Sequence, residues 1–190
     1  MDFSWSQKLF LRINSYVGKS KFFDKLAFFC AQWLIYIFIF LAIVWGVYFL
    51  TPIELKNFLK LSLTALFFAV SFSWILATIW PHRRPIAEIA EVKQLLHTYQ
   101  TWKSFPSDHT LIPFTLTIII VLAGGQGLIV IISVCLSLMI ALSRVYVGVH
   151  YPRDIIGGMF FAFIFAFLSF WLVEYVSQPV FNFFKDIINL

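Results

Sequence analysis

Charge is what this chain of 190 residues has least of. Asp, Glu, Lys and Arg together make up 12%, about half the ~25% of a soluble domain. So few charges cannot cover a water-facing surface. Cysteine is scarce too. Cys30 and Cys135 are the only two, which excludes a disulfide framework. Both fall inside apolar runs, where buried, inert thiols are expected. No long apolar stretch precedes Leu26, so no cleavable signal peptide is expected. No internal repeat or low-complexity tract is visible. No basic stripe lies on a soluble element, which leaves no nucleic-acid partner to expect.

What is abundant is apolar. Hydrophobic residues reach 61%, and 24 of the residues are Phe. Leu26–Leu50 and Leu61–Trp80 contain no charge. Each is long enough to cross a bilayer core of ~30 Å, which needs ~20 helical residues. Thr110–Arg144 is uncharged until its last residue, but Gly124-Gly125-Gln126-Gly127 divides it. It reads as two spans, Thr110–Ala123 and Leu128–Leu142, around a tight turn. Ile155–Val173 is the fifth. Lipid leaves each backbone polar group to be satisfied within its own segment, so helices are expected. The predicted fold is therefore all-α: a polytopic membrane helix bundle of about five transmembrane helices, in a single domain over 1–190. Within it, 1–25 is an N-terminal segment, 26–176 the helical core and 177–190 an aromatic, interfacial tail.

In the N-terminal segment, Trp5, Leu9, Phe10, Ile13 and Tyr16 share a helical face. This predicts either an interfacial helix or a cap packed on the bundle. Thr51–Lys60 reads as a short loop between spans one and two. Five spans put the long loop Pro81–His109 and the segment Arg144–Asp154 on the same membrane face. In the long loop, Ile86, Ile89, Val92 and Leu96 recur at helical spacing between Glu88, Glu91 and Lys93. A short amphipathic helix is expected there.

That one face gathers the unusual chemistry in three clusters: Pro81-His82-Arg83-Arg84-Pro85, Ser104-Phe105-Pro106-Ser107-Asp108-His109, and Ser143-Arg144 with His150 and Asp154. Arg83, Arg84 and Arg144 carry forked donors that suit phosphate oxygens. Ser107 adds a hydroxyl. His109 opens a span, where free N–H groups and the helix dipole favour an anion. His150 and Asp154 are four apart and share a face on a helical turn. A carboxylate on one ring nitrogen fixes the tautomer and frees the other nitrogen to act. Together these groups suit phosphoryl transfer: cations hold the phosphate, one histidine attacks phosphorus, and the other moves protons.

The three clusters resemble the signature motifs of the type 2 phosphatidic acid phosphatase superfamily. That pattern is Lys, six residues, Arg-Pro; then Pro-Ser-Gly-His; then Ser-Arg, five residues, His, three residues, Asp. This chain has Arg84-Pro85, Pro106-Ser107-Asp108-His109, and Ser143-Arg144 with His150 and Asp154. Two positions depart from it. Asp108 stands where glycine is usual, and Ala77 stands where the lysine should be. Arg83 or Lys103 is the candidate substitute for that lysine. Pro-His-x-Arg-Pro with Ser-Phe-Pro-Ser-Asp-His is similar to the bacterial undecaprenyl-diphosphatases linked to bacitracin resistance. The resemblance implies a phosphatase acting on undecaprenyl diphosphate through a phosphohistidine. It implies His150 as nucleophile, Asp154 as its orienting partner, His109 as proton donor and acceptor, and Arg84, Ser107 and Arg144 as phosphate ligands. It implies no cofactor and no metal, in keeping with the lack of a carboxylate cluster suited to magnesium.

Other readings stay open. Phosphatidate, phosphatidylglycerol phosphate or lipid A would suit the same chemistry. A non-enzymatic membrane protein that binds lipid or haem would use His109 and His150 differently. Arg84, Arg144 and Arg153 could anchor helix ends; His82 and His97 read as loop residues, and Tyr146 and Tyr151 as interfacial packing. Oligomeric state is not legible. Of the Lys and Arg residues, 11 fall on the clustered face and 3 (Lys56, Lys60, Lys185) on the other. The positive-inside rule then puts the clusters in the cytoplasm. The resembling enzymes work on the outer face of the bacterial inner membrane, and that orientation is the one expected here.

Overall fold

A computed structural model describes residues 3–188. They fold into helices α1 (Trp5–Asn14), α2 (Lys21–Gln32), α3 (Leu34–Phe49), α4 (Pro52–Ile79), α5 (Pro85–Glu88), α6 (Asp108–Leu122), α7 (Leu128–Tyr146), α8 (Pro152–Leu172) and α9 (Gln178–Ile188). A π-helical turn, Val173–Ser177, joins the last two. Among the described residues, β pairing is confined to one isolated bridge, His82 with Lys103. The all-helical membrane fold is as expected. Three helical stretches are long and apolar enough to cross a membrane: α4, α7, and α8 continued through α9. The pair α2 and α3 qualifies together, bent by 54°. α6 is apolar but only 15 residues long. Large side chains such as Phe40, Leu63, Phe67, Ile131 and Phe160 face outward, which lipid permits and water would not.

The bundle packs through small residues. Ala65 with Ala166, and Ala69 with Ala162, are buried where α4 and α8 meet. Small side chains let helix backbones approach closely, the usual device where lipid removes the hydrophobic drive between helices. α6 lies against α4, α7 and α8. Between α6 and α7, the Thr117 and Ser137 hydroxyls hydrogen-bond at 2.9 Å.

Several sequence expectations are corrected in detail. The first span is not one rod: it breaks at Trp33 between α2 and α3. Thr51–Lys60 is not a loop. Thr51 caps α4, its hydroxyl receiving the Glu54 N–H while the Glu54 carboxylate accepts from the Thr51 N–H. With Pro52 in the first turn, this is a complete capping box. The helix in the long loop is a single turn, Pro85–Glu88, although Ile89 and Leu96 are buried as their spacing suggested. Beyond it, backbone groups bond to other elements: Lys93 N–H to Asn14 Oδ1, and Leu95 N–H to Val147 O. Those partners replace the intrahelical ones. Cys30 is buried, but Cys135 faces outward from α7.

α1 packs as a cap on the bundle. Ser6, Phe10 and Asn14 are buried against the bundle, and the Phe10 ring meets Tyr151 edge-on at 5.3 Å. Trp5, Leu9 and Tyr16 remain exposed, an apolar outer face suited to the interface. The tail is not separate: α9 continues α8 through the π-helical turn.

Candidate active site

His150 sits in the link between α7 and α8. Gly148, at φ 87°, turns the chain there, and a Cβ at that position would lie 2.9 Å from Lys93 O. Only glycine takes that backbone conformation freely. The turn is fastened by the Arg144 carbonyl, which accepts the N–H groups of Val149 (3.1 Å) and His150 (3.2 Å). Tyr151 then caps α8, and Asp154 lies in its first turn.

Asp154 is fully buried. Its Oδ2 accepts the Ser104 hydroxyl at 2.5 Å and the Tyr151 N–H at 2.8 Å. The same oxygen lies 3.5 Å from His150 Nδ1. The carboxylate is thus held from behind and stands opposite Nδ1, a little beyond a closed hydrogen bond; Nε2 is the other ring nitrogen. Burial pushes the His150 imidazole down to about 4, with Arg84 and Arg144 acting in the same direction and Asp154 opposing. The ring is therefore neutral at ordinary pH, and in the tautomer with its proton on Nδ1, towards Asp154, Nε2 carries the lone pair.

In front of His150 lies a cavity of about 280 Å³. His109, Arg84, Arg144, Lys103 and Asp108 share its wall. A larger hollow, about 590 Å³, lies near Gly124 and Gly125, but Glu54 is its only charged lining residue. Chemistry, and not size, separates the two.

The polar groups around the cavity are incompletely satisfied within the protein. Arg144 donates from Nη1 to Ala31 O at 2.8 Å, and Arg84 from Nε to Lys103 O at 3.0 Å. Arg144 Nε, Arg84 Nη1, Ser107 Oγ and Thr110 Oγ1 are buried without a partner. Buried polar groups are rarely left so. Unpaired N–H groups on both arginines, with the buried hydroxyls of Ser107 and Thr110 next in the chain to Asp108 and His109, suit an oxyanion.

Lys103 is 3% exposed. Its Nζ contacts both Asp108 oxygens, at 2.8 and 2.7 Å, and Ser73 Oγ at 3.1 Å. Burial lowers the pKa of its ammonium, against the pull of Asp108.

Of the residues singled out from sequence, His150, His109, Arg84, Arg144 and Lys103 meet at the cavity. Asp154 stands behind His150. Ser107 is fully buried beside them, its N–H donating to Asp154 O at 3.1 Å. Arg83 is exposed and is not on the cavity wall. Three contributors lacked a signal that sequence reasoning used. Ser104 belongs to the second cluster but was given no partner. Ser73 lies within an apolar span. Tyr151, read as interfacial, is fully buried and donates its hydroxyl to Glu88 at 2.8 Å.

The chain is similar in sequence and fold to known proteins. YbjG of Escherichia coli (strain K12), a protein named only as a candidate undecaprenyl-diphosphatase, is 34% identical over 155 residues, covering 80% of this chain and 74% of YbjG. The bacitracin transport permease protein BcrC of Bacillus licheniformis is 28% identical over 171 residues, 87% of this chain and 79% of BcrC. The crystal structure of Aquifex aeolicus LpxE superposes with a TM-score of 0.69 at 25% identity, covering 89% of this chain and 96% of LpxE. Residues 57–178 match the PAP2 superfamily, and with these relatives the match shows that the chain belongs to that superfamily.

Proposed function

We propose that this membrane phosphatase removes the terminal phosphate of a polyprenyl diphosphate, undecaprenyl diphosphate in particular, through a phosphohistidine and without a metal. The observation that carries the mechanism is the convergence of two histidines and three cations on one cavity, with a buried carboxylate behind one histidine. The substrate is suggested by the YbjG name.

The chemistry runs in two steps. Arg84, Arg144 and Lys103 hold the terminal phosphoryl oxygens, and Ser107 adds its hydroxyl. His150 Nε2 attacks phosphorus. The N–P bond forms as the P–O bond to the lipid monophosphate breaks, and His109, protonated in the complex with the anionic diphosphate, gives that proton to the leaving oxygen. The positive charge that develops on His150 is stabilised through Nδ1–H by Asp154. Water then attacks the phosphohistidine, His109 takes its proton, and inorganic phosphate leaves. Fixed cations on the cavity wall stabilise the developing charge without having to reorganise. The catalytic face is read as extracytoplasmic in a bacterial inner membrane.

The test is phosphate release by detergent-purified protein in EDTA, on undecaprenyl diphosphate and phosphatidate in parallel. Release that favours the diphosphate supports the proposal. Equal or faster release from phosphatidate would overturn the substrate, and dependence on added magnesium would overturn the metal-free step. A cysteine placed between Glu88 and Gln100 should react with an impermeant reagent in intact cells; protection would reverse the orientation.

A further inference from the structure

A second cationic site lies at the opposite end of α4 from the catalytic cavity. Lys56 and Lys60 occupy the first turns of α4, and Lys185 lies on α9. Lys56 is seventeen residues from Ser73, about 25 Å along a helix. All three lysines line one hollow of about 480 Å³. Its apolar wall includes Leu63, Val173 and Phe181.

The hollow is built rather than incidental. Lys56 and Lys60 are four apart on α4, and Phe181 and Lys185 are four apart on α9, so each pair occupies one helix face. The π-helical turn Val173–Ser177 sets the direction of α9. One extra residue in a helix rotates every later side chain by about 100°. The turn is tied to α4 by the Thr64 hydroxyl donating to Ser177 Oγ at 3.1 Å, and Lys60 Nζ donates to Gln178 Oε1.

Among the described residues, no ion pair involves Lys56, Lys60 or Lys185. Glu54, two residues from Lys56, is committed to the Thr51 cap, and Asp186, next to Lys185 on α9, makes no ion pair among the described residues. Three ammonium groups around one apolar recess repel each other, and the recess itself leaves apolar surface uncovered. A ligand with an anionic head and an apolar tail relieves both costs. The exposed Phe181, Phe183 and Phe184 suit α9 to a lipid interface, where aromatic rings accumulate.

We propose that this hollow binds an anionic phospholipid of the leaflet opposite the catalytic face. Its phosphate sits among the three lysines, and an acyl chain lies along Leu63, Val173 and Phe181. The inference is independent of the substrate proposed above.

The test uses delipidated, full-length protein in detergent. It is titrated with phosphatidylglycerol, phosphatidylcholine or inorganic phosphate, and lipid occupancy is read by native mass spectrometry. Wild type should prefer phosphatidylglycerol to phosphatidylcholine by tenfold or more. Each lysine near an anionic headgroup contributes roughly a fivefold effect. The triple variant Lys56→Gln/Lys60→Gln/Lys185→Gln should therefore bind phosphatidylglycerol about a hundredfold more weakly. Its phosphatase activity in the same detergent should persist, which reports an intact fold. Should that variant lose activity, Lys60→Arg/Lys185→Arg is the second test: it should keep both activity and lipid preference. Equal occupancy by the two lipids, undiminished phosphatidylglycerol binding in an active triple variant, or competition by inorganic phosphate as effective as by the lipid would each overturn the site.

Discussion

Lys103 Nζ lies 2.8 and 2.7 Å from the two carboxylate oxygens of Asp108, and Ser73 Oγ bonds to both partners, at 3.1 Å from Nζ and 2.6 Å from Oδ1. Ala77 is buried on α4 and brings no charge; Lys103 brings a cation to the cavity wall from the loop. Asp108, at the start of α6, occupies the glycine position and holds that cation at the cavity wall.

Removing Asp108 should therefore do more than remove one charge. Asp108→Ala leaves a nearly buried ammonium unpaired, a loss of about 3 kcal/mol. The double variant Lys103→Met/Asp108→Ala should recover part of that stability but not activity. A thermal-unfolding double-mutant cycle reads the coupling, and additive effects would show that the pair is not an interacting unit.

The support behind His150 predicts a graded series. Asp154→Asn should lower kcat by roughly 10³- to 10⁴-fold, as when the partner that sets a histidine tautomer is lost. Ser104→Ala removes one bond to the same carboxylate and should cost roughly tenfold. KM should change little in either. Steady-state kinetics on a diphosphate lipid checks the order, and a greater loss for Ser104→Ala than for Asp154→Asn would contradict it.

His150 should resist protonation. Its folded value of about 4 lies below the ordinary 6.5. Stability gained by keeping the ring neutral is full above 6.5 and is lost as pH falls towards 4, because the unfolded chain takes up the proton first. In ¹⁵N-histidine-labelled protein, the signal assigned by its loss in His150→Gln should show a neutral ring at pH 5.5. A titration centred near 6.5 would contradict the burial.

Two glycines allow α8 to approach the site. A Cβ on Gly157 would collide with the Phe105 ring, and one on Gly158 would come 2.8 Å from Thr110 Cβ and 3.0 Å from Ser107 O. Gly157→Ala should lower stability by about 2 kcal/mol through overpacking. Gly158→Ala presses on the backbone of Ser107 and should impair activity at temperatures where it remains folded. Thermal unfolding and kinetics on both variants separate the effects.

The membrane class, and the meeting of His150, His109, Arg84 and Arg144, were legible because fixed motif spacing and long uncharged runs carry them. The role of Asp108 was not, because an aspartate beside a phosphate-binding motif carries no local sign of a partner five residues back. Ser73 was hidden for a different reason: a serine within an apolar span matches any packing residue until the loop folds over it. The amphipathic helix expected beyond Glu88 is shortened because Asn14 and Val147, distant in sequence, take its backbone bonds. The start of α4 was legible in Thr51-Pro52-Ile53-Glu54, a capping box overlooked beside the charges that follow it.

The covalent intermediate is the most direct test. Wild-type protein and the variants His150→Ala and His109→Ala would be mixed with undecaprenyl diphosphate labelled at its terminal phosphate, then quenched on the millisecond scale. Protein-bound label that is acid-labile and alkali-stable, absent from His150→Ala and longer-lived in His109→Ala, is the predicted result. Undiminished turnover by His150→Ala, or label retained on another residue of that variant, would contradict the mechanism.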